Sequence, residues 1–204
     1  QGRTDLFPLA ALVWAARLLP TNPIGSLAAA AAAGAFKQTA WFALPLYAMW
    51  TAGTAGGERA SWMRVATRLA VPGLAWLALA LPFVIWDWRS FVHDVIFCGM
   101  QLDQTIIRPA YAEGFANVIL AFGGTEAAAQ FPYGWVRALA CGAVLVALVR
   151  RLDQRNDAGV FWTGATMLTA VGLFLGPFFV DSYIGYISQL ALLAGLTHPY
   201  NRAT

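Results

Sequence analysis

Apolar runs alternate with short polar breaks along the whole chain, and their lengths predict helices rather than strands. Leu6 to Leu19 is apolar apart from Arg17 and is closed by Pro20-Thr-Asn-Pro23, a strong helix breaker. Ile24 to Phe36 and Ala40 to Thr51 form two short apolar arms either side of Lys37-Gln38-Thr39. Gly53 to Arg64 is the first clear loop, and Val65 to Trp86 is the most conventional span. Asp87 to Glu113 is the longest non-apolar region, and Gly114 to Phe122 is apolar but too short to cross a bilayer. Trp135 to Val149, Val160 to Phe179 and Tyr183 to Leu196 are further apolar segments, with Arg150 to Asp157 a charged loop between the first two. None of the runs alternates with period two, so a membrane β-barrel is not predicted.

The expected fold class is therefore all-α: a polytopic transmembrane helix bundle of about seven short spans or half-spans plus an outer interfacial helix. One transmembrane domain should cover residues 1–204, with residues 87–134 forming an outer loop that holds interfacial helices. The chain opens on Gln1 with Gly2 to Asp5 reading as loop, so it is expected to be the C-terminal part of a longer chain.

Composition supports this assignment. Of 204 residues 59% are hydrophobic and only 11% charged, against about 25% charged in an ordinary soluble domain. Nine Trp and thirteen Phe suit aromatic belts at headgroup level. The net charge of +3 does not point to nucleic acid, because the arginines are scattered between apolar segments and form no basic face. Cys98 and Cys141 lie in separate segments without metal-type spacing and read as buried thiols. No metal set and no cofactor motif is present.

Loop charges orient the bundle. Arg59 to Arg68 holds three arginines against Glu58, and Arg150 to Asp157 holds three arginines against two aspartates, so both face the cytoplasm. The region from Asp87 to Glu113 carries Arg89 and Arg108 against Asp87, Asp94, Asp103 and Glu113, and faces outward with the turn at Asp181. Counting back favours a hairpin at Lys37, pointing outward, over one long helix with a lysine at its centre.

Lys37 is the most informative residue, since a lysine at membrane depth costs roughly 2.5–3.5 kcal/mol on insertion scales. It either snorkels to the outer headgroups or binds a phosphate, with Gln38 and Thr39 adding hydrogen-bond donors. A second constellation runs from Leu81 to Asp94. Asp87 is placed to cap a helix starting near Trp88, in which Phe91, Val92, Val95 and Ile96 share one side and Arg89 and His93 another. That helix is either a solvated surface element or an outer site, with Arg89 and His93 binding an anionic headgroup and Asp94 acting as acid or base. Asp103, Arg108, Tyr111 and Glu113 could form a lid. Arg137 is expected to pair with Glu126, with binding of lipid phosphate the alternative, and Asp181, Ser182, Tyr183 and Tyr186 make a small polar cluster suited to capping or to substrate contact. His198 has no argued role. No serine-hydrolase, zinc-protease, Walker or dinucleotide-binding motif occurs.

Gly34-Ala-Phe-Lys-Gln-Thr-Ala-Trp-Phe-Ala-Leu-Pro45, followed by Leu81-Pro-Phe-Val-Ile-Trp-Asp87, then Phe91, Asp94-Val95 and Gly114, resembles bacterial polytopic membrane glycosyltransferases of the GT-C class. The nearest group is the polyprenyl-phosphate-dependent mannosyltransferase-like proteins of actinobacteria and other high-GC bacteria, and the resemblance covers roughly Leu6 to Leu196. It implies a multi-span enzyme of the inner membrane that moves a sugar, with mannose the first candidate, from a polyprenyl-phosphate donor to a lipid or glycan acceptor at the outer face. The catalytic base of such enzymes is typically an aspartate in the first outer loop, and no residue here matches it, so no catalytic residue is carried over. Lys37 matches the family lysine and would contact the donor phosphate. Gln38, Asp87, Arg89, His93 and Asp94 would border the substrate cavity. Membrane lipids and the lipid-linked donor are the expected partners, with membrane protein partners in the competing reading of a non-catalytic subunit packed inside a larger complex.

Overall fold

The computed structural model describes residues 6–54, 62–98, 114–176 and 181–197. Among these every regular element is helical. They are α1 (Leu6–Leu18), α2 (Pro23–Phe36), a 3-10 turn (Gln38–Phe42), α3 (Leu44–Thr54), α4 (Trp62–Trp86), α5 (Trp88–Phe91) continued by a π-helical stretch (Val92–Cys98), α6 (Phe115–Gln130), α7 (Tyr133–Gln154), α8 (Ala158–Phe174) and α9 (Asp181–Thr197). The all-α expectation holds, with boundaries shifted by a few residues.

Local chemistry explains where the first elements begin and end. Asn22 accepts a hydrogen bond from the Gly25 amide and Pro23 occupies the first helical turn, so α2 starts as soon as α1 has stopped. The alanine run then carries α2 to Phe36. Lys37 is extended, at φ −158° and ψ 141°, and the chain turns back through the 3-10 segment. The Trp41 indole donates to the Gly34 carbonyl at 2.9 Å, occupying one of the acceptors that the end of α2 leaves open.

The hairpin at Lys37 is the arrangement found. Its legs are joined by a hydrogen bond between Ser26 and Tyr47, and Gly34 lies against Leu44. They splay enough for α4 to pack on both, while α1 pairs closely with α2. The core joins α1, α2, α3, α7, α8 and α9, with Tyr47, Trp50 and Phe161 at its centre and the rings of Trp50 and Phe161 stacked at 4.9 Å. Helix α8 is the most enclosed: Gly164 admits Leu46 and Leu148, and Gly172 admits the ring of Phe42.

Helix α6 departs from the sequence reading. A straight helix of its length would separate its ends by about 24 Å, yet Phe115 and Phe131 have ring centroids 5.6 Å apart. The reversal is at Gly124, whose φ of 74° and ψ of −177° belong to a region that side chains avoid. The short apolar piece is thus the first limb of a folded-back pair.

Helix α4 is long and apolar enough to cross a membrane, with a mean hydropathy of 2.0 over its best window. Only 11% of that window is buried, so it is no core helix. Leu74, Leu77, Leu81, Phe83, Ile85 and Trp86 lie exposed along it. Helices α6 and α7 meet that test only as a pair, bent by 103°.

Six arginines gather at one end of the bundle, while Lys37, Arg89 and Arg137 lie toward the other. Arg68 borders a small cavity with Leu19, Pro23 and Thr51, Arg64 donates to the Ala52 carbonyl, and Gly53 lies against Asn156. These contacts gather the α1–α2 turn, the start of α4 and the α7–α8 turn at one end, with Arg17, Arg64, Arg68, Arg150, Arg151 and Arg155. The opposite end holds the stacked Phe7 and Phe36, the 3-10 turn, and Lys37 beside Tyr183.

Candidate functional site

Lys37 sits half-buried at the apex of the reversal, and Trp41, Thr39 and Phe42 of the turn pack inward behind it. Its ammonium lies 5.8 Å from the centre of the Tyr183 ring at the start of α9. At that range the ring face stabilises the cation, so α9 helps to hold the lysine at this end of the bundle. The sequence reading named Lys37 and Tyr183 separately. Nothing in the sequence pairs residues so far apart, and the link between them is a product of the tertiary fold. Gln38 opens the 3-10 turn. The Thr39 hydroxyl is buried and has no hydrogen-bond partner among the described residues, so it is not presented to a ligand beside Lys37 as a surface donor.

The second constellation forms as the sequence predicts in its first turn. Asp87 ends α4 and caps α5: Oδ1 accepts from the amides of Arg89 and Ser90, and Oδ2 accepts from the Ser90 hydroxyl at 2.7 Å. The Ser90 hydroxyl, foremost, and these amides favour the ionised form and hold the carboxyl below its ordinary value. The chain doubles back over α4, bringing Phe91 to 6.1 Å from Trp76, and then widens into the π-helical stretch.

That fold-back encloses an open groove of about 600 Å³ between α4 and α5. Trp76, Leu79, Phe83, Trp86 and Phe91 form its walls, Ala35 closes it from α2, and Asp87, Ser90 and Asp94 supply the polar groups. Lys37 follows Ala35 by two residues, so the lysine and the groove share one end of the bundle.

The six candidates separate into distinct positions. Asp87 and Asp94 line the groove, Lys37, Arg89 and His93 are not among its walls, and the Gln38 side chain lies outside the described residues. The Arg89 guanidinium lies 5.6 Å from the Trp88 ring, and His93 Nδ1 lies 2.9 Å from Asp94 Oδ1. Glu126 accepts from Gln130 on the next turn of its own limb. The proposed lid residues Asp103, Arg108, Tyr111 and Glu113, the tail residue His198, and the side chains of Cys98, Asp181 and Ser182 lie outside the described residues.

The groove combines apolar walls with polar groups at Asp87, Ser90 and Asp94. Among the described residues no three His, Cys, Asp or Glu side chains gather into a metal-binding set. No family model matches the chain, no curated protein matches its sequence and no solved structure matches its fold.

Proposed function

We propose that this protein is a multi-span membrane glycosyltransferase of the inner membrane, or the C-terminal portion of one, that transfers a sugar from a polyprenyl-phosphate donor to a lipid or glycan acceptor. The observation that carries the reading is the placement of Lys37 at the same end as an apolar groove with carboxylates on its rim. A lipid-linked donor needs an apolar channel for its chain and a cation for its phosphate, and it reaches both laterally from the bilayer.

Several features support the membrane part of this reading. The exposed apolar face of α4 has a large cost in water and none in lipid. Arginines gathered at the end opposite Lys37 support a cytoplasmic side for that end by the positive-inside rule, with Lys37 toward the outer surface. The shorter helices α1, α2, α8 and α9 would be the half-spans and short spans of a polytopic bundle. During transfer, charge grows on the departing phosphate, and a lysine already held in place stabilises it without reorganisation.

The test is transfer of labelled mannose from its polyprenyl phosphate by the purified full-length protein in lipid nanodiscs, followed by other lipid-linked sugars. Lys37→Ala should lose most of the transfer and weaken donor binding. No transfer from any member of the donor panel would remove the enzyme reading, and the non-catalytic subunit would take its place, with the α4 face as its packing surface.

A further inference from the structure

A second groove, of about 730 Å³, lies between α7 and α8 at the arginine-rich end. Val144, Ala147, Leu148 and Met167 form its apolar walls, and Arg151 and Arg155 stand at its mouth. Neither arginine makes an ion pair among the described residues, and both are exposed. Among the described residues one carboxylate shares the rim, that of Asp157, and its Oδ1 is engaged by the Val160 amide at 2.8 Å as the cap of α8.

We propose that this groove binds an anionic phospholipid of the cytoplasmic leaflet, with an acyl chain between α7 and α8 and the phosphate held by Arg151 and Arg155. The proposal rests on the membrane reading above and on no part of the glycosyltransferase reading. Charge selects the occupant: two guanidiniums at the end of an apolar slot match a phosphate on an acyl chain, and phosphates are what arginine's planar fork engages best. Length agrees as well. From Val144 to Gln154 the wall of α7 runs about 15 Å, close to half of a hydrocarbon core about 30 Å thick. A basic pocket between helices on the cytoplasmic side is the general form of such a lipid site.

The experiment reconstitutes the full-length protein into phosphatidylcholine vesicles with and without phosphatidylglycerol, and measures lipid retained on the purified protein by native mass spectrometry. Phosphatidylglycerol should be retained over phosphatidylcholine by roughly ten-fold. The double variant Arg151→Gln, Arg155→Gln should lose that preference. Ala147→Trp, which fills the slot and keeps both charges, should lower retention of the same lipid. Inorganic phosphate added in excess should not displace it, because the chain contributes to binding. Equal retention of the two lipids by the wild-type protein, or an unchanged preference in both variants, overturns the proposal. Failure of the protein to enter phosphatidylcholine vesicles at all would instead overturn the membrane reading beneath it.

Discussion

Tyr47 hydrogen-bonds to Ser26 across the reversal that carries Lys37. The Ser26 hydroxyl in turn donates to the Ala15 carbonyl, so Tyr47 is the donor to Ser26 and the three groups form one relay from α3 through α2 to α1. Ser26 is fully buried and Tyr47 is 1% exposed, so no water replaces a lost partner. Ser26→Ala should destabilise the protein by about 1–3 kcal/mol, lowering Tm by roughly 2–10 °C at this size. Tyr47→Phe should cost less, because it removes the hydroxyl from both the donor and the buried surface. Thermal unfolding in detergent, followed by Trp fluorescence, reads both. Equal stability of wild type and Ser26→Ala would mean the relay is not formed.

Phe42 occupies the space that a side chain at position 172 would fill. A Cβ built on Gly172 would collide with the Phe42 ring, and α8 has no slack there because Thr169 and Leu173 are buried on either side. Gly172→Ala should therefore push the 3-10 turn out and cost about 1–3 kcal/mol. Phe42→Leu alone should cost less than that, and the pair together should recover most of the loss, with an interaction energy of about 1 kcal/mol or more. A double-mutant cycle on thermal stability measures it. Simple additivity would show that the turn is not seated on Gly172.

The sequence made several helix boundaries legible because they carry their own start or stop signals. Pro20 to Pro23 separates α1 from α2, Asp87 caps α5, and Asp157 caps α8. The reversal at Lys37 was legible through the arginine distribution. What one-dimensional patterns could not supply were relations made by packing. Lys37 meets Tyr183 only because α9 returns to the hairpin apex, and Asp87 and Asp94 share a groove only because α5 folds back onto Trp76. The reversal inside α6 was hidden for a different reason. Gly123-Gly124 sits in an apolar, helix-compatible stretch, and a glycine pair marks a hinge only when its φ is known.

Gly124 holds a positive φ with open space around the position where a Cβ would go, so strain and not crowding decides the effect of replacing it. Gly124→Ala should cost roughly 1–3 kcal/mol and loosen the contact between Phe115 and Phe131. Spin labels on Val118 and Ala129, one on each limb, would report it. A single short distance in wild type should broaden toward longer values in Gly124→Ala. An unchanged distribution would mean that the reversal is held by the Phe115, Phe131 and Tyr133 cluster alone.

Asp87 makes the start of α5 sensitive to acid. Its carboxyl titrates below the ordinary value of 3.8 because Ser90 and two backbone amides favour the charged form. A folded-state value below the unfolded one means that the cap contributes fully above pH 3.8 and is lost as pH falls through the lower, folded value. Hydrogen exchange of the Arg89 and Ser90 amides, corrected for intrinsic rates, should therefore accelerate at the acid end. In Asp87→Asn the same amides should show no such step. Persistence of the step in that variant would assign it to another group.

Lys37→Met separates a binding lysine from a structural one. Methionine keeps the length and flexibility of the side chain and removes the charge, and relieving a partly desolvated cation of its hydration loss offsets the loss of the Tyr183 ring contact, worth about 0.5–2 kcal/mol. If Lys37 exists to hold a phosphate, thermal stability in Lys37→Met should stay within about 1 kcal/mol of wild type, while binding of the polyprenyl-phosphate donor falls by roughly ten-fold or more. Lys37→Arg should keep much of the binding, since the charge remains, although the guanidinium sits differently in the turn. A structural lysine gives the opposite pattern, with a marked fall in Tm for Lys37→Met and donor binding unchanged in the protein that stays folded. Thermal unfolding and donor titration on the same three preparations decide between them, because only the binding role lets stability and affinity part company at this position.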